Sequence, residues 1–432
     1  MSKKIKVMMI ADHPLSPSGV GTQTKYVVEA LLKSGRYSIF SLGGAMKHVD
    51  YRPIKTEEWG DDWVIYPVDG YGTQEVVRSV MRNEKPDILW FMTDPRFYEW
   101  LWLIENEIRP NIPMVYYHVW DNLPYPKYNK KFYESNDVIA CISKVTHDIV
   151  QTVTPDVDSF YVPHAVDPQI FKPQENSDDD REAVFGEENE EKFIVFWNNR
   201  NARRKMSGSI VFWFKEFLDK VIWWFKEYLD KVGHDKSLLV MHTNPKDEHG
   251  QDLEQILKDL ELDEGQVRFS TEKVNPEILA KIYSSVDCTI NVSDAEGFGL
   301  ATLESLSCGT PIVVNMTGGL QEQVTDGENW FGIGIEPASK AIIGSQQVPY
   351  IYEDRINKES FVSALQEMYD IWKDDPEKYE AMSKAGIEHV KKNYNFKDFE
   401  NQWVDLLDYV HEKHGSWKDR KGYQNWKIIE VV

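Results

Sequence analysis

Cysteine is scarce in this chain of 432 residues: Cys141, Cys288 and Cys308 make an odd count without metal-ligand spacing. That usage excludes a disulfide framework and predicts buried thiols in a reducing compartment. Long apolar runs are missing as well. No window approaches the roughly 18 unbroken apolar residues of a spanning helix, and MSKKIKVMMIAD enters a strand-like run with no export signal. The expectation is a soluble, cytoplasmic chain with no transmembrane segment. Positive charge is in deficit: 49 Lys and Arg against 71 Asp and Glu give a formal charge of -22. Such a surface disfavours non-specific binding to nucleic acid or anionic membrane, so a polyanionic ligand needs a local basic cleft.

What is present is an α/β pattern of a length that implies two domains. Short β-rich runs (KIKVMMIAD, PDILWFMTD, IPMVYYHVWD, DVIACIS) alternate with helical segments in the first half, as parallel βαβ units require. The pattern pauses at the acidic stretch QENSDDDREAVFGEENEEKF, expected to be a linker with a solvated charge run, and restarts with KFIVFWNN, SLLVMHT, QVRFST, DCTINVS and PIVVNMT. Parallel sheets bind ligands beyond the carboxyl ends of their strands, so the loops there are the ones to read for chemistry.

In NVSDAEGFGLATLESLSCGTPIVV a strand ends near Ser293, glycines surround Glu296, and ATLESLS has helix-forming composition. Glycines admit close backbone approach, and amides at a helix start suit phosphate. Glu296 and Glu304, eight residues apart, lie on the order of 10 Å apart along a helix, which suits two parts of one elongated ligand, although inverting glycosidases approach that spacing. A strand, loop and helix carrying solvated glutamates is the plain alternative. In FWNNRNARRKM, Arg200, Arg203, Arg204 and Lys205 put four cations in six residues after a strand, either a cleft for a pyrophosphate or a solvated basic loop. ADHPLSPSGVGTQT has Gly19 and Gly21 but Thr24 where a dinucleotide fingerprint needs its third glycine. No Asp-x-Asp stands at a strand end, and Asp178 to Asp180 fall in the acidic stretch, so no metal is implied.

Residues 291 to 327 resemble the donor-binding segment of retaining GT-B glycosyltransferases of family 4, also called glycosyl transferases group 1. The likeness rests on Glu296, Gly-Phe-Gly, Glu304, Cys-Gly-Thr-Pro, Gly318-Gly319, Glu322 and TDGEN. It implies two Rossmann-like α/β domains facing each other across a donor/acceptor cleft, with a C-terminal helix crossing back. The corresponding divisions are an acceptor domain at 1–174, a linker at 175–191, a donor domain at 192–395, and a crossing helix with tail at 396–432. By that resemblance Glu296 touches the donor sugar, Glu304 holds the ribose, and the amides of Gly299 and Leu300 after Phe298 meet the diphosphate with Arg200 and Lys205. Asn199 replaces the usual glycine before that arginine. Gly19 and Gly21 match the glycine loop near the donor phosphate, and His118 matches a histidine facing the donor sugar, with Trp120, Asp121 and Tyr125 toward the acceptor. His164 is read as structural.

The implied reaction moves a sugar from a UDP-, GDP- or ADP-sugar to an acceptor hydroxyl with retention, with no cofactor. The rivals are a sugar-phosphate phosphorylase or epimerase, a nucleotide-sugar-binding module without catalysis, and a glycosyltransferase acting on a modified DNA base.

One element stands apart. VFWFKEFLDKV and IWWFKEYLDKV, residues 211 to 232, are a tandem duplication. Eleven residues make three helical turns plus about 20°, so the second copy continues one apolar stripe, with Phe214, Phe217, Leu218, Val221, Phe225, Tyr228, Leu229 and Val232 on one face. One copy suffices to cover a sheet. The other is expected to project and meet a second subunit or, failing that, a membrane surface.

Overall fold

A computed structural model describes residues 3–120, 122–174, 177–223 and 235–423. The chain forms two compact units: Met1–His164 with Gly344–Ile351 and Lys397–Val432, and Ala165–Ile343 with Tyr352–Phe396. Each has a Rossmann-like sheet, the α/β class expected.

The first unit's strands are β1 (Ile5–Asp12), β2 (Tyr37–Gly44), β3 (Ile54–Lys55), β4 (Trp63–Pro67), β5 (Ile88–Thr93), β6 (Met114–His118), β7 (Val138–Cys141) and β8 (Asp158–Tyr161). They lie in the order β3-β4-β2-β1-β5-β6-β7-β8, parallel except for the β3 edge. Val7 to Ala11 and all of β5 are buried, the continuous apolar pattern of a sheet covered on both faces. From β1 the chain first builds outward through β2 and then returns to β5, so the loop after β1 lies at the switch point where such sheets open a crevice.

The second unit repeats the plan with β9 (Phe193–Asn198), β10 (Ser237–His242), β11 (Val267–Ser270), β12 (Cys288–Asn291), β13 (Ile312–Asn315) and β14 (Gly332–Ile335). Their order is β11-β10-β9-β12-β13-β14, with the switch between β9 and β12. A hairpin of β15 (Ser339–Ile343) and β16 (Ile351–Arg355) follows.

The divisions depart from the sequence reading in three places, the first being residues 165–174, which fall in the second unit rather than the first. The acidic stretch is not a bare linker: it forms the helix Ser177–Phe185 within the second unit, where Arg181 reaches the buried Asp287 (3.1 Å) and the Ser285 carbonyl (2.9 Å). Residues 344–351 belong to the first unit, because Val348 joins its core and Tyr350 stacks edge-on against Tyr128 (5.6 Å). The helix Phe396–His414 belongs to the first unit as well, through Trp403, which is fully buried against Tyr117 (4.7 Å) and Trp90 (5.7 Å).

The first copy of the duplication is core. Phe214, Phe217 and Leu218 on the helix Ser207–Trp223 are fully buried against the second sheet, as the apolar stripe predicts. The second copy, residues 222 to 232, lies almost wholly outside the described residues, as does the tail beyond 423. All three cysteines are free and buried. Among the described residues no helix is long and apolar enough to cross a membrane.

Candidate active site

The switch point of the second sheet brings two loops together. The loop after β9 carries Arg200 to Lys205, and the loop after β12 carries Ser293 to Gly299; both leave the carboxyl ends of adjacent strands. Lys205 ends the single turn Arg203–Lys205 and pairs with Glu296, both side chains nearly buried. Asn291 adds a hydrogen bond to the same carboxylate oxygen at 3.2 Å. Burial alone pushes Glu296 upward, but Lys205 and Arg204 outweigh it, so its carboxyl stays below the ordinary value and is ionised at neutral pH.

Glu304 shows the opposite balance. It lies on the helix Leu300–Ser307, and burial raises its carboxyl to about 7, opposed only by the Tyr283 hydroxyl that donates at 2.9 Å. Burial thus acts on both glutamates, and only Glu296 has charged partners that overcome it.

Between them the chain turns at Gly299, whose φ of +90° is left-handed. A Cβ there would come within 2.6 Å of Leu320. No side chain caps this helix start, where the first amides, including that of Leu300, have no intrahelical acceptor. Gly318 and Gly319 close the loop from the other side: a Cβ at Gly318 would sit 1.9 Å from the Glu296 carbonyl, and the Gly319 amide donates to that carbonyl at 3.0 Å.

The four cations divide. Arg200 is largely exposed at the rim and forks onto Asp247 (2.8 and 3.0 Å), which its hydrogen bonds help hold down at about 2. Arg203 is bound to Glu353 (3.0 Å), and Arg204 donates to the Ala295 carbonyl. Arg203 and Arg204 thus fasten the loop, while Arg200 is paired with Asp247 at the surface and Lys205 with the nearly buried Glu296. The Phe298 ring, just before the helix-start amides, is buried against Tyr394 (5.8 Å) and contributes packing.

In the first unit the expectations fare differently. Ser18 caps the helix Gly19–Lys33 by accepting from the Gly21 amide (2.9 Å) and donates to Asp12 (2.6 Å). A Cβ at Gly21 would strike Ser16 and the His13 carbonyl, so that glycine serves close loop packing, and Gly19 is exposed. His118 is fully buried, with Nδ1 against the Tyr116 hydroxyl (3.1 Å) and Nε2 against that of Tyr133 (2.9 Å), and desolvation pushes its pKa down to about 3. Both nitrogens are engaged within the first unit, so the imidazole is neutral. Trp120 is buried, Tyr125 is exposed and bound to Asp148 (2.8 Å), and Asp121 lies outside the described residues. His164 is structural as expected, bound to Tyr117 at 2.7 Å.

Sequence reasoning missed Asn291, Tyr283 and the β16 residues around Glu353. Asn291 was legible, as a polar residue ending an apolar strand.

These features define a class. Known structures share the fold across nearly the whole chain: sucrose-phosphate synthase from Thermosynechococcus elongatus superposes with a TM-score of 0.72 at 17% identity, covering 95% of this chain and 100% of that one. Anabaena Alr3699/HepE, solved in complex with UDP and glucose, gives 0.67 at 13% identity, covering 94% and 99%. The two-domain Rossmann-like architecture is that of the GT-B glycosyltransferases. Within it, residues 212–344 match the family described as glycosyl transferases group 1. D-inositol 3-phosphate glycosyltransferase of Thermomonospora curvata is 42% identical over 78 residues, 18% of each chain. Sucrose synthase of Solanum tuberosum is 24% identical over 161 residues, 36% of this chain and 18% of its own. The chain thus spans under a fifth of the length of these curated relatives.

Proposed function

We propose that the protein transfers a sugar from a nucleotide diphosphate sugar to an acceptor hydroxyl with retention of anomeric configuration. The observation that carries this reading is the Lys205–Glu296 pair at the switch point, between an uncapped helix start and Glu304. In the reaction the bond from the anomeric carbon to the diphosphate oxygen breaks, the acceptor oxygen bonds the same face, and its proton passes to the departing phosphate oxygen. Lys205, Arg200 and the amides at Gly299 and Leu300 meet the charge growing on the diphosphate, the buried donors supplying about 3 kcal/mol each of transition-state stabilisation and the exposed Arg200 about 1 kcal/mol. These groups supply the positive charge the leaving group needs, so the reaction as proposed uses no metal. Glu296 accepts from sugar hydroxyls and Glu304 from the ribose.

The donor is a UDP-, GDP- or ADP-sugar. UDP-glucose is the first to test, because Anabaena HepE binds UDP and glucose on the same fold. The free buried thiols fit a reducing compartment, and we assign the chain to the cytoplasm. A second subunit meeting the second copy of the duplication is a further part of the proposal, resting on sequence alone.

The test is a thermal-shift screen of the three donor classes, where ligand at 100 times Kd adds about 2.7 kcal/mol of stability. It is followed by an assay of nucleoside diphosphate release with an acceptor panel that includes hydroxymethylated DNA. Release only with a sugar or other small acceptor is the expected result. Release with the DNA alone identifies the base-modifying rival, and tight binding with no turnover on any acceptor identifies a binding module.

A further inference from the structure

The second unit contains a strand that no sequence motif announces. Three consecutive residues of β16 reach three loops of the candidate site. Glu353 is 1% exposed and receives Arg203 from the β9 loop (3.0 Å) and Arg355 (2.6 Å). Asp354 donates its amide to the Asp294 carbonyl (2.9 Å) in the β12 loop, and its carbonyl accepts from Asn315 (2.7 Å). Its carboxylate accepts from Thr317 (2.8 Å), immediately before Gly318-Gly319. Arg355 then points back at the Asp294 carboxylate, 3.5 Å away, which makes no hydrogen bond among the described residues.

Asp294 is the pivot of this arrangement. It is 1% exposed and two residues before Glu296, its amide donates to the Arg204 carbonyl (2.8 Å), and its own carbonyl is held by β16. The Glu296 loop is gripped on one side by the Arg203–Lys205 turn and on the other by β16, while Glu353 ties those two grips together. A charged network this buried is a costly way to gain stability, since desolvation offsets much of the attraction. Its return here is geometric: it fixes the direction of Glu296 and Lys205.

We infer that Glu353 and Arg355 are positioning residues, which set the orientation of Glu296 and Lys205 without touching the donor. The inference rests on the reading of Glu296 as the group that engages the donor sugar. Misplacement of a reacting group by about 1 Å costs on the order of 100-fold in rate, so their loss acts on turnover far more than on binding.

The experiment compares wild type with Glu353→Gln, Arg355→Ala and Arg355→Lys. The readouts are kcat for sugar transfer, Kd for the nucleoside diphosphate, Tm, and amide hydrogen exchange across residues 293 to 298 of the free protein. Glu353→Gln and Arg355→Ala are expected to lower kcat about 10- to 100-fold while Kd changes less than about threefold. Exchange in the Glu296 loop quickens, and Arg355→Lys recovers most of the rate. Transfer within twofold of wild type, or kcat and Kd falling in step with Tm, overturns the inference. If Glu353→Gln does not fold, the Arg355 pair decides alone, since Arg355 is partly exposed. A wild-type protein that binds no nucleotide sinks the donor reading instead. The exchange measurement then still decides the positioning role, which fails if the loop is as protected in the variants as in wild type.

Discussion

The two sheets share one plan and use their carboxyl ends in opposite ways. In the first unit, His118 ends its strand sealed between two tyrosine hydroxyls, and the first helix start is closed by Ser18. In the second, the loops after β9 and β12 hold an ionised Glu296 against Lys205, and the helix that follows β12 carries a raised Glu304 and starts at Gly299 with no side-chain cap. His118 and Glu304 are both perturbed by burial, whereas Glu296 is held down against its burial by Lys205 and Arg204. A buried carboxylate kept ionised by specific charged partners makes the second unit the candidate for function.

The sharpest way to break this contrast is Glu296→Gln. Transfer should fall about 1,000-fold, with nucleoside diphosphate affinity within about threefold, measured by stopped assay and calorimetry. Unchanged transfer would remove the second site from the chemistry.

Acid should separate the units next. His118 and His164 are both held at about 3, below the ordinary value near 6.5. The unfolded chain therefore binds protons that the folded unit refuses, and stability present above pH 6.5 is lost as pH falls toward 3. At pH 5 this amounts to as much as about 2 kcal/mol per histidine. Glu304, raised to about 7, has the reverse sign: the folded unit binds its proton first, so stability grows as pH falls from 7 toward 4.5. Hydrogen exchange followed separately in each unit between pH 8 and pH 5 should show the first loosening and the second tightening. A common direction in both units would refute the assignment.

Glu304→Gln sharpens the same point at one residue. At pH 8 it should raise Tm by a few degrees, because a buried carboxylate no longer has to ionise, and weaken nucleotide binding about tenfold, worth about 1.4 kcal/mol. A gain in both quantities would show that Glu304 is packing only. The smallest effect is expected for Arg200→Ala. Its side chain is 60% exposed and already shared with Asp247, so affinity and turnover should each fall only about three- to tenfold, near the upper end for an exposed ion pair.

How much could be read in advance follows from how far each determinant is spread along the chain. Gly299, Glu296 and Glu304 were legible because one strand, loop and helix carry them within a dozen residues, and the Phe214, Phe217, Leu218 stripe because helical periodicity is local. The burial of His118 was not legible because its second partner, Tyr133, comes 15 residues later on another element. Arg203 and Arg204 looked like part of the phosphate clamp because a run of cations does not reveal its acceptors. Those acceptors, Glu353 and the Ala295 carbonyl, lie 150 and 91 residues away. The boundary near 174 was misplaced because the acidic composition of that stretch hides one arginine, Arg181, which docks it onto Asp287.

The Lys205–Glu296 pair carries a last consequence, for the salt dependence of ligand capture. A bare cationic cleft in water holds mobile counterions, and an entering diphosphate expels them, so its affinity falls steeply as ionic strength rises. Here the cleft brings its own tethered counterion, and Lys205 is neutralised by a carboxylate of the same chain before any ligand arrives. Under the proposed reading, diphosphate binding is an exchange of one anion for another at Lys205 that releases few ions to bulk, so its affinity is expected to depend only weakly on ionic strength.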